Sequence, residues 1–324
     1  MKKFLKASKI IIFIIITLFL LELLVYSLAP NKDNFRKYGP YNMGTYDILD
    51  EKENTIDVIF LGDSLIYSSI SPMLIWNEYG FTSFDCAGPA QPIDNSYKYL
   101  KIAIKSQHPK VVMMEADVIF RKYKSKMRKI KELKYVKNYI PLDKYHNNWK
   151  KLFSNESNET KWINVEKGYK YITKRKGMLE DNGNMEETEK LHDIPDGALN
   201  YLDKIIKLCN DNNIKFILVS NPSKLSWDYS KSLTMTAIAK DRGIEFIDLN
   251  NGNPTNIDWV KETKDKGKHI NYIGAKKVTK YIGNYLNNLN ILEDHRKDEK
   301  YKEWHLAYDK YIKTHAKYEA IEIE

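Results

Sequence analysis

The chain has 324 residues, 43% of them hydrophobic, with 52 Lys and Arg against 43 Asp and Glu and a formal net charge of +9. That length fits one large α/β domain with an insertion, or two domains. Two cysteines exclude a disulfide framework, and Cys86 and Cys209 read as buried free thiols on a strand and a helix.

Lys2, Lys3, Lys6 and Lys9 precede an almost wholly apolar run at 10–29, IIIFIIITLFLLELLVYSLA. As a helix, about 20 such residues cross a hydrocarbon core of about 30 Å. The expectation is an uncleaved single-pass anchor (residues 1–30 with its cytoplasmic end), placing the chain in the cell membrane with the C-terminal domain extracytoplasmic. A cleaved signal peptide is the competing reading, but its apolar region is normally about 7–15 residues long. Lys32, Arg36 and Lys37 beyond the span weaken the orientation. Glu22, inside the span, reads either as protonated or facing a polar group on another membrane protein, or as simply tolerated by its apolar neighbours.

Residues 31–55 read as a linker. From 56 to 290, strand-like and helix-like patterns alternate. Short branched or aromatic runs at 57–62, 82–88, 110–117, 215–220 and 244–249 predict about five strands. Helical patterns occupy 97–106, 196–212, 225–241 and 272–287. This alternation predicts a parallel sheet covered by helices on both faces. The 121–195 stretch breaks the rhythm and reads as a basic insertion on the functional face, with Trp149 and Trp162. Between Arg121 and Lys176 there are 18 Lys/Arg and 5 Asp/Glu, an excess that attracts anionic partners. Adhesion to anionic lipid is the plainer use of that charge. Residues 291–324 read as a C-terminal surface helix.

In a parallel α/β sheet, functional residues gather at the carboxyl ends of strands. DVIFLGDSLIYSS places Ser64 at the end of the first. Gly62 permits a tight strand-to-helix turn, and the free N–H groups of a helix start suit a developing oxyanion. The alternative is that Asp63 or Ser64 only caps the helix. Near the C-terminus, KDKGKHINYIGAKKVTKYIGNYL places His269 just ahead of an amphipathic helix with Asp265 close by. A nucleophilic serine needs such a base, and the base needs an acid to fix its tautomer. His108, His146, His192, His295, His305 and His315 read as solvent-facing. The cysteines lack zinc spacing, the histidines do not cluster, and no phosphate-binding glycine loop is present, so neither metal nor cofactor is expected. Export disfavours nucleic acid as a partner.

LGDSL, CAGPAQPI and HINYIGAKKVTKYI together resemble the SGNH (GDSL-type) hydrolase superfamily. The run SPMLIWNEYGFTSFDCAGPAQPIDNSYKYLKIAIKSQHPKVVMMEAD resembles a membrane-anchored Gram-positive branch, related to the teichoic-acid D-alanylation protein DltD and to SGNH proteins of polysaccharide acetylation. The resemblance implies a flavodoxin-like three-layer sandwich. It implies Ser64 as nucleophile, His269 as base and Asp265 as acid, with the N–H groups of Ser64 and Gly88 and the Gln91 side chain forming the oxyanion hole. Two departures stand out. The family's acid lies three residues before the histidine, where this chain has Lys266, which keeps Glu262 in reserve. The family's oxyanion asparagine is replaced by Glu115-Ala116-Asp117. Loss of one such donor costs about 2.7–4 kcal/mol unless Gln91 or Asn221 substitutes. The implied activity is esterase or O-acyltransferase chemistry on acetyl or D-alanyl groups of a cell-envelope glycopolymer, beside a membrane-bound O-acyltransferase. A non-catalytic scaffold or polymer-binding subunit is the alternative.

Overall fold

The computed structural model describes residues 9–20, 47–121, 165–178 and 180–319. Residues 9–20 are helical with exposed side chains and belong to a separate unit. Among the described residues no helix is long and apolar enough to cross a membrane. The rest of the expected span, including Glu22, lies outside the described residues, as do Trp149, Trp162, His146 and most of the basic insertion.

Five strands form one parallel sheet: β1 (Val58–Gly62), β2 (Ser83–Ala87), β3 (Val111–Glu115), β4 (Lys215–Ser220) and β5 (Glu245–Asp248). The first three are buried at every position, which is why β1 (VIFLG) and most of β3 (VVMME) read as continuous apolar runs, whereas β2 (SFDCA) buries Ser83 and Asp85 among its apolar residues. Sheet order is β2-β1-β3-β4-β5, with Phe60 facing Asp85 on one side and Met113 on the other. The winding therefore reverses at β1. Such a reversal opens a crevice outside the carboxyl ends of the two strands that flank it, here β1 and β3.

Among the described residues beyond 9–20, the α-helices are α1 (Ser64–Tyr67), α2 (Pro72–Tyr79), α3 (Ile93–Ala103), α4 (Ala198–Asp211), α5 (Tyr229–Arg242), α6 (Tyr272–Asn288) and α7 (Lys302–Glu319). Asp228 caps α5 by accepting from Lys231 N–H, which moves its start four residues past the expected one. α6 starts where expected, because the Asn271 side chain accepts from the N–H groups of Ile273 and Gly274. Cys86 and Cys209 are buried and free.

The C-terminal segment departs from the surface helix expected there. Trp304 and Tyr311 of α7 are only 3% and 2% exposed, and Trp304 packs on Trp76 of α2 with ring centroids 5.5 Å apart. Two histidines expected in solvent are enclosed with it. His295 stacks on Tyr301 at 4.1 Å, and His315, 7% exposed, stacks on Tyr171 at 3.6 Å. The reason is aromatic packing: α7 buries a stripe of rings that its many charges conceal in the sequence.

Candidate active site

β1 must end in a residue without a side chain. A Cβ on Gly62 would lie 2.6 Å from Glu115 Cβ and 2.8 Å from Ile66 Cγ1. Asp63 then caps α1, its Oδ1 accepting from Leu65 N–H at 2.9 Å. Ser64 follows as the first helical residue, 9% exposed. Both readings of the tripeptide therefore hold at once: Asp63 is the cap, and Ser64 is presented at the helix start, where backbone N–H groups have no preceding turn to bond.

His269 sits in a loop closed by the antiparallel bridge Thr263↔Ile270. Lys266 and Gly267 both adopt left-handed backbone (φ 64° and 86°), turning the chain so that Asp265 reaches back to a residue four positions on. Asp265 Oδ1 accepts from His269 N–H at 2.8 Å, and Asp265 Oδ2 lies 2.7 Å from His269 Nδ1. His269 Nε2 lies 2.8 Å from Ser64 Oγ. A carboxylate facing Nδ1 requires the proton there, which leaves the Nε2 lone pair for the Ser64 hydroxyl. Burial lowers the His269 pKa against the opposing bond to Asp265, so the imidazole is neutral at pH 7. Glu262, the reserve acid, is engaged elsewhere: it accepts from Asp258 N–H at 2.9 Å and pairs with Lys277 at 2.8 Å.

The expected oxyanion donors other than the Ser64 N–H are placed differently. The Gly88 N–H donates to the Gly62 carbonyl at 3.3 Å, extending the β1–β2 ladder by one rung. Gln91 is buried, and its amide nitrogen donates to Ser96 Oγ at 3.0 Å and to the Cys86 carbonyl at 3.4 Å. Both of its N–H bonds are used inside the fold, which removes it as the expected side-chain donor. Asn221 is committed too, its Nδ2 donating to Glu115 Oε2 at 2.8 Å.

Glu115 is fully buried and accepts three bonds: from Asp117 N–H at 3.2 Å, Asn221 N–H at 3.2 Å and Asn221 Nδ2. Burial, reinforced by the neighbouring Asp63, pushes its pKa up to about 8. Burial thus favours the protonated form of the acid at the asparagine position, which is held by Asn221 just after β4.

Two residues missed by sequence reasoning complete the surroundings. Arg121 pairs with Asp63 and, at 3.0 Å, with Asp117, while Lys231 reaches Asp117 at 2.8 Å. Burial raises the Asp63 pKa to about 6 despite the pull of Arg121. The only sequence trace of this network is the i, i+4 spacing of Asp117 and Arg121.

No family model and no curated protein matches the chain. It is similar to solved structures of acylhydrolase and esterase type. One is a lipase/acylhydrolase from Enterococcus faecalis (10% identity, 74% of this chain and 98% of that one, TM-score 0.40). Others are a GDSL-like lipase from Bacteroides thetaiotaomicron (11%, 79% and 98%, 0.39) and a family 3 carbohydrate esterase from Clostridium thermocellum (11%, 73% and 97%, 0.39). What the site can do follows from its side-chain geometry and not from these likenesses.

Proposed function

We propose that this chain is a serine esterase or O-acyltransferase working through a Ser64 acyl-enzyme. The observation that carries the reading is the line of two contacts from Asp265 Oδ2 through the His269 ring to Ser64 Oγ, at 2.7 and 2.8 Å. In the first step Ser64 Oγ bonds to an ester carbonyl carbon while its proton moves to His269 Nε2. The carbonyl π pair moves onto oxygen, where the Ser64 N–H meets it. Collapse breaks the ester C–O bond, and the leaving alcohol takes the proton from Nε2. Water, or a sugar or polyol hydroxyl, then bonds to the acyl carbon as its proton moves to His269 Nε2, and collapse breaks the Ser64 Oγ–C bond while Nε2 returns the proton to Oγ. Water makes the protein an esterase; a hydroxyl makes it a transferase.

The finer reading is a membrane-anchored enzyme of the DltD-like branch, held by residues 10–29, that moves acetyl or D-alanyl groups on a cell-envelope polysaccharide or teichoic acid beside a membrane-bound O-acyltransferase. Two features support it: the apolar run, and a basic 121–176 stretch suited to a polyanion.

One observation favours a non-catalytic scaffold or polymer-binding subunit instead: the Gly88 and Gln91 donors are bonded within the fold. Incubation with a fluorophosphonate, read by mass spectrometry, separates the two. The expected result is an adduct on Ser64, absent in Ser64→Ala and slow to form in His269→Ala. A folded protein with no adduct replaces the enzyme reading with the scaffold one.

A further inference from the structure

We propose that Tyr171 and His315 are positioning residues for the His269 loop, so that α7 is a working part of the catalytic apparatus. The proposal rests on the acyl-transfer reading above.

Residues 165–178 form neither helix nor strand, yet they are bonded to both halves of the site. The segment begins at β2, where Asp85 N–H donates to the Lys167 carbonyl at 2.9 Å. Lys170 N–H then donates at 2.7 Å to the carbonyl of Tyr67, three residues after Ser64. Tyr272 N–H, three residues after His269, donates to the Ile172 carbonyl at 2.9 Å. On the other side of His269, Lys176 N–H donates to Thr263 at 2.8 Å, and the Lys176 carbonyl accepts from Lys266 N–H at 2.8 Å and Thr263 Oγ1 at 2.9 Å. One extended strap therefore sets the nucleophile turn and the acid–base loop in register with each other.

The strap is itself gripped by α7. The Tyr171 ring stacks on Tyr272 (4.8 Å between centroids, 24° between planes) and on His315 (3.6 Å, 6°). His315 Nε2 lies 2.7 Å from Glu166 Oε1 at the strap's start, and the Tyr272 hydroxyl donates to the Tyr318 carbonyl of α7 at 3.1 Å. Only Ile270 and Asn271 separate Tyr272 from His269. A shift of the Tyr171 ring is thus passed to the imidazole through two residues, and a displacement of about 1 Å in a reacting group costs on the order of 10²-fold in rate. α7 keeps its separate anchor at Trp304 and Trp76, so removing the Tyr171 ring loosens the strap without detaching the helix.

The test uses the full chain and an activated acetyl ester. Tyr171→Ala and His315→Ala are expected to lower kcat roughly 10- to 100-fold with KM little changed. Tyr171→Phe, which keeps the ring, is expected to restore it. A second readout is independent of turnover: the NMR signal of the His269 Nδ1 proton shared with Asp265, identified by its loss in His269→Ala. It should persist in Tyr171→Phe and broaden or vanish in Tyr171→Ala. Should Tyr171→Ala not fold, Tyr171→Leu is read in its place. Wild-type kcat together with an unchanged His269 signal overturns the proposal. A wild-type protein that forms no Ser64 adduct overturns the acyl-transfer reading instead, and the NMR signal still decides whether Tyr171 positions His269.

Discussion

Asp265→Asn distinguishes the acid that orients His269 from one that merely lies near it. The carboxylate accepts two bonds, from His269 N–H at 2.8 Å and from the ring Nδ1 at 2.7 Å. An asparagine amide satisfies only one. With its NH₂ toward Nδ1, the ring proton moves to Nε2, which then cannot take the Ser64 proton. With its oxygen toward Nδ1, the NH₂ opposes the backbone N–H of His269, and an unsatisfied donor costs about 1–3 kcal/mol. Replacing a charged acceptor by a neutral one removes about 1–2 kcal/mol more of support for the imidazolium. The sum is about 2–5 kcal/mol, or roughly 30- to 5,000-fold at 1.36 kcal/mol per tenfold change. The Asp265 side chain is 35% exposed, so water relieves part of the penalty and the lower half of the range is expected. The assay is kcat/KM on an activated acetyl ester, with Glu262→Gln as the comparison. Asp265→Asn within threefold of wild type, or Glu262→Gln falling equally far, would refute the assignment.

Burial holds the His269 pKa below its ordinary 6.5, so the neutral base persists to lower pH; the acid limb of a kcat/KM profile should fall below 6.5 and move further down in Asp265→Asn, which removes the raising partner. Gly283→Ala would place a Cβ 2.2 Å from the Tyr79 ring, and this overpacking should cost about 1–3 kcal/mol in denaturant unfolding while leaving kcat unchanged. Glu115, raised from 4.5 to about 8, keeps a proton that the unfolded chain releases, so its contribution to stability is present below pH 4.5 and is lost as pH rises toward 8. Unfolding of Glu115→Gln beside wild type should show the stability gap shifting toward the variant over that span.

Much of this was legible in the sequence because the central strands are buried and mostly apolar or aromatic; the expected runs and the observed β1 to β5 differ by at most two residues at either end. α2 escaped, although Pro72 at its first turn and Gly80 at its end (φ 78°) are a usual pair of helix limits, because PMLIWNEY is too short to show a period. Ser64 and His269 were found from local motifs, and the fold supplies what no local motif holds, their contact across 205 positions. The departure in acid spacing also has a local explanation: the extra residue is absorbed by the left-handed turn at Lys266 and Gly267. The strap had no legible signature, since its bonds to the site are made by the backbone and leave no pattern of residue types. The burial of His315 was hidden for a related reason, because its partners Tyr171 and Glu166 are far from it in the chain.

The acid at position 115 looks like an antagonist of an oxyanion, yet the charges bonded around it point the other way. Asp63, Asp117, Arg121 and Lys231 are joined in one network, two anions against two cations. Glu115 lies against it, its pKa raised first by burial and then by Asp63 and, more weakly, Asp117. Protonated, it leaves the network balanced and gives the sheet ends a joint between β3 and β4. Ionised, it adds a third buried negative charge that acts on Asp63, the residue before Ser64, and like charge so near opposes the negative charge that the transition state develops. Activity should therefore fall as pH rises through about 8, in the direction opposite to the gain from deprotonating His269. Glu115→Gln cannot ionise and should hold its rate through that range. An equal alkaline fall in wild type and variant would mean that the carboxyl at 115 exerts no influence on the chemistry at Ser64.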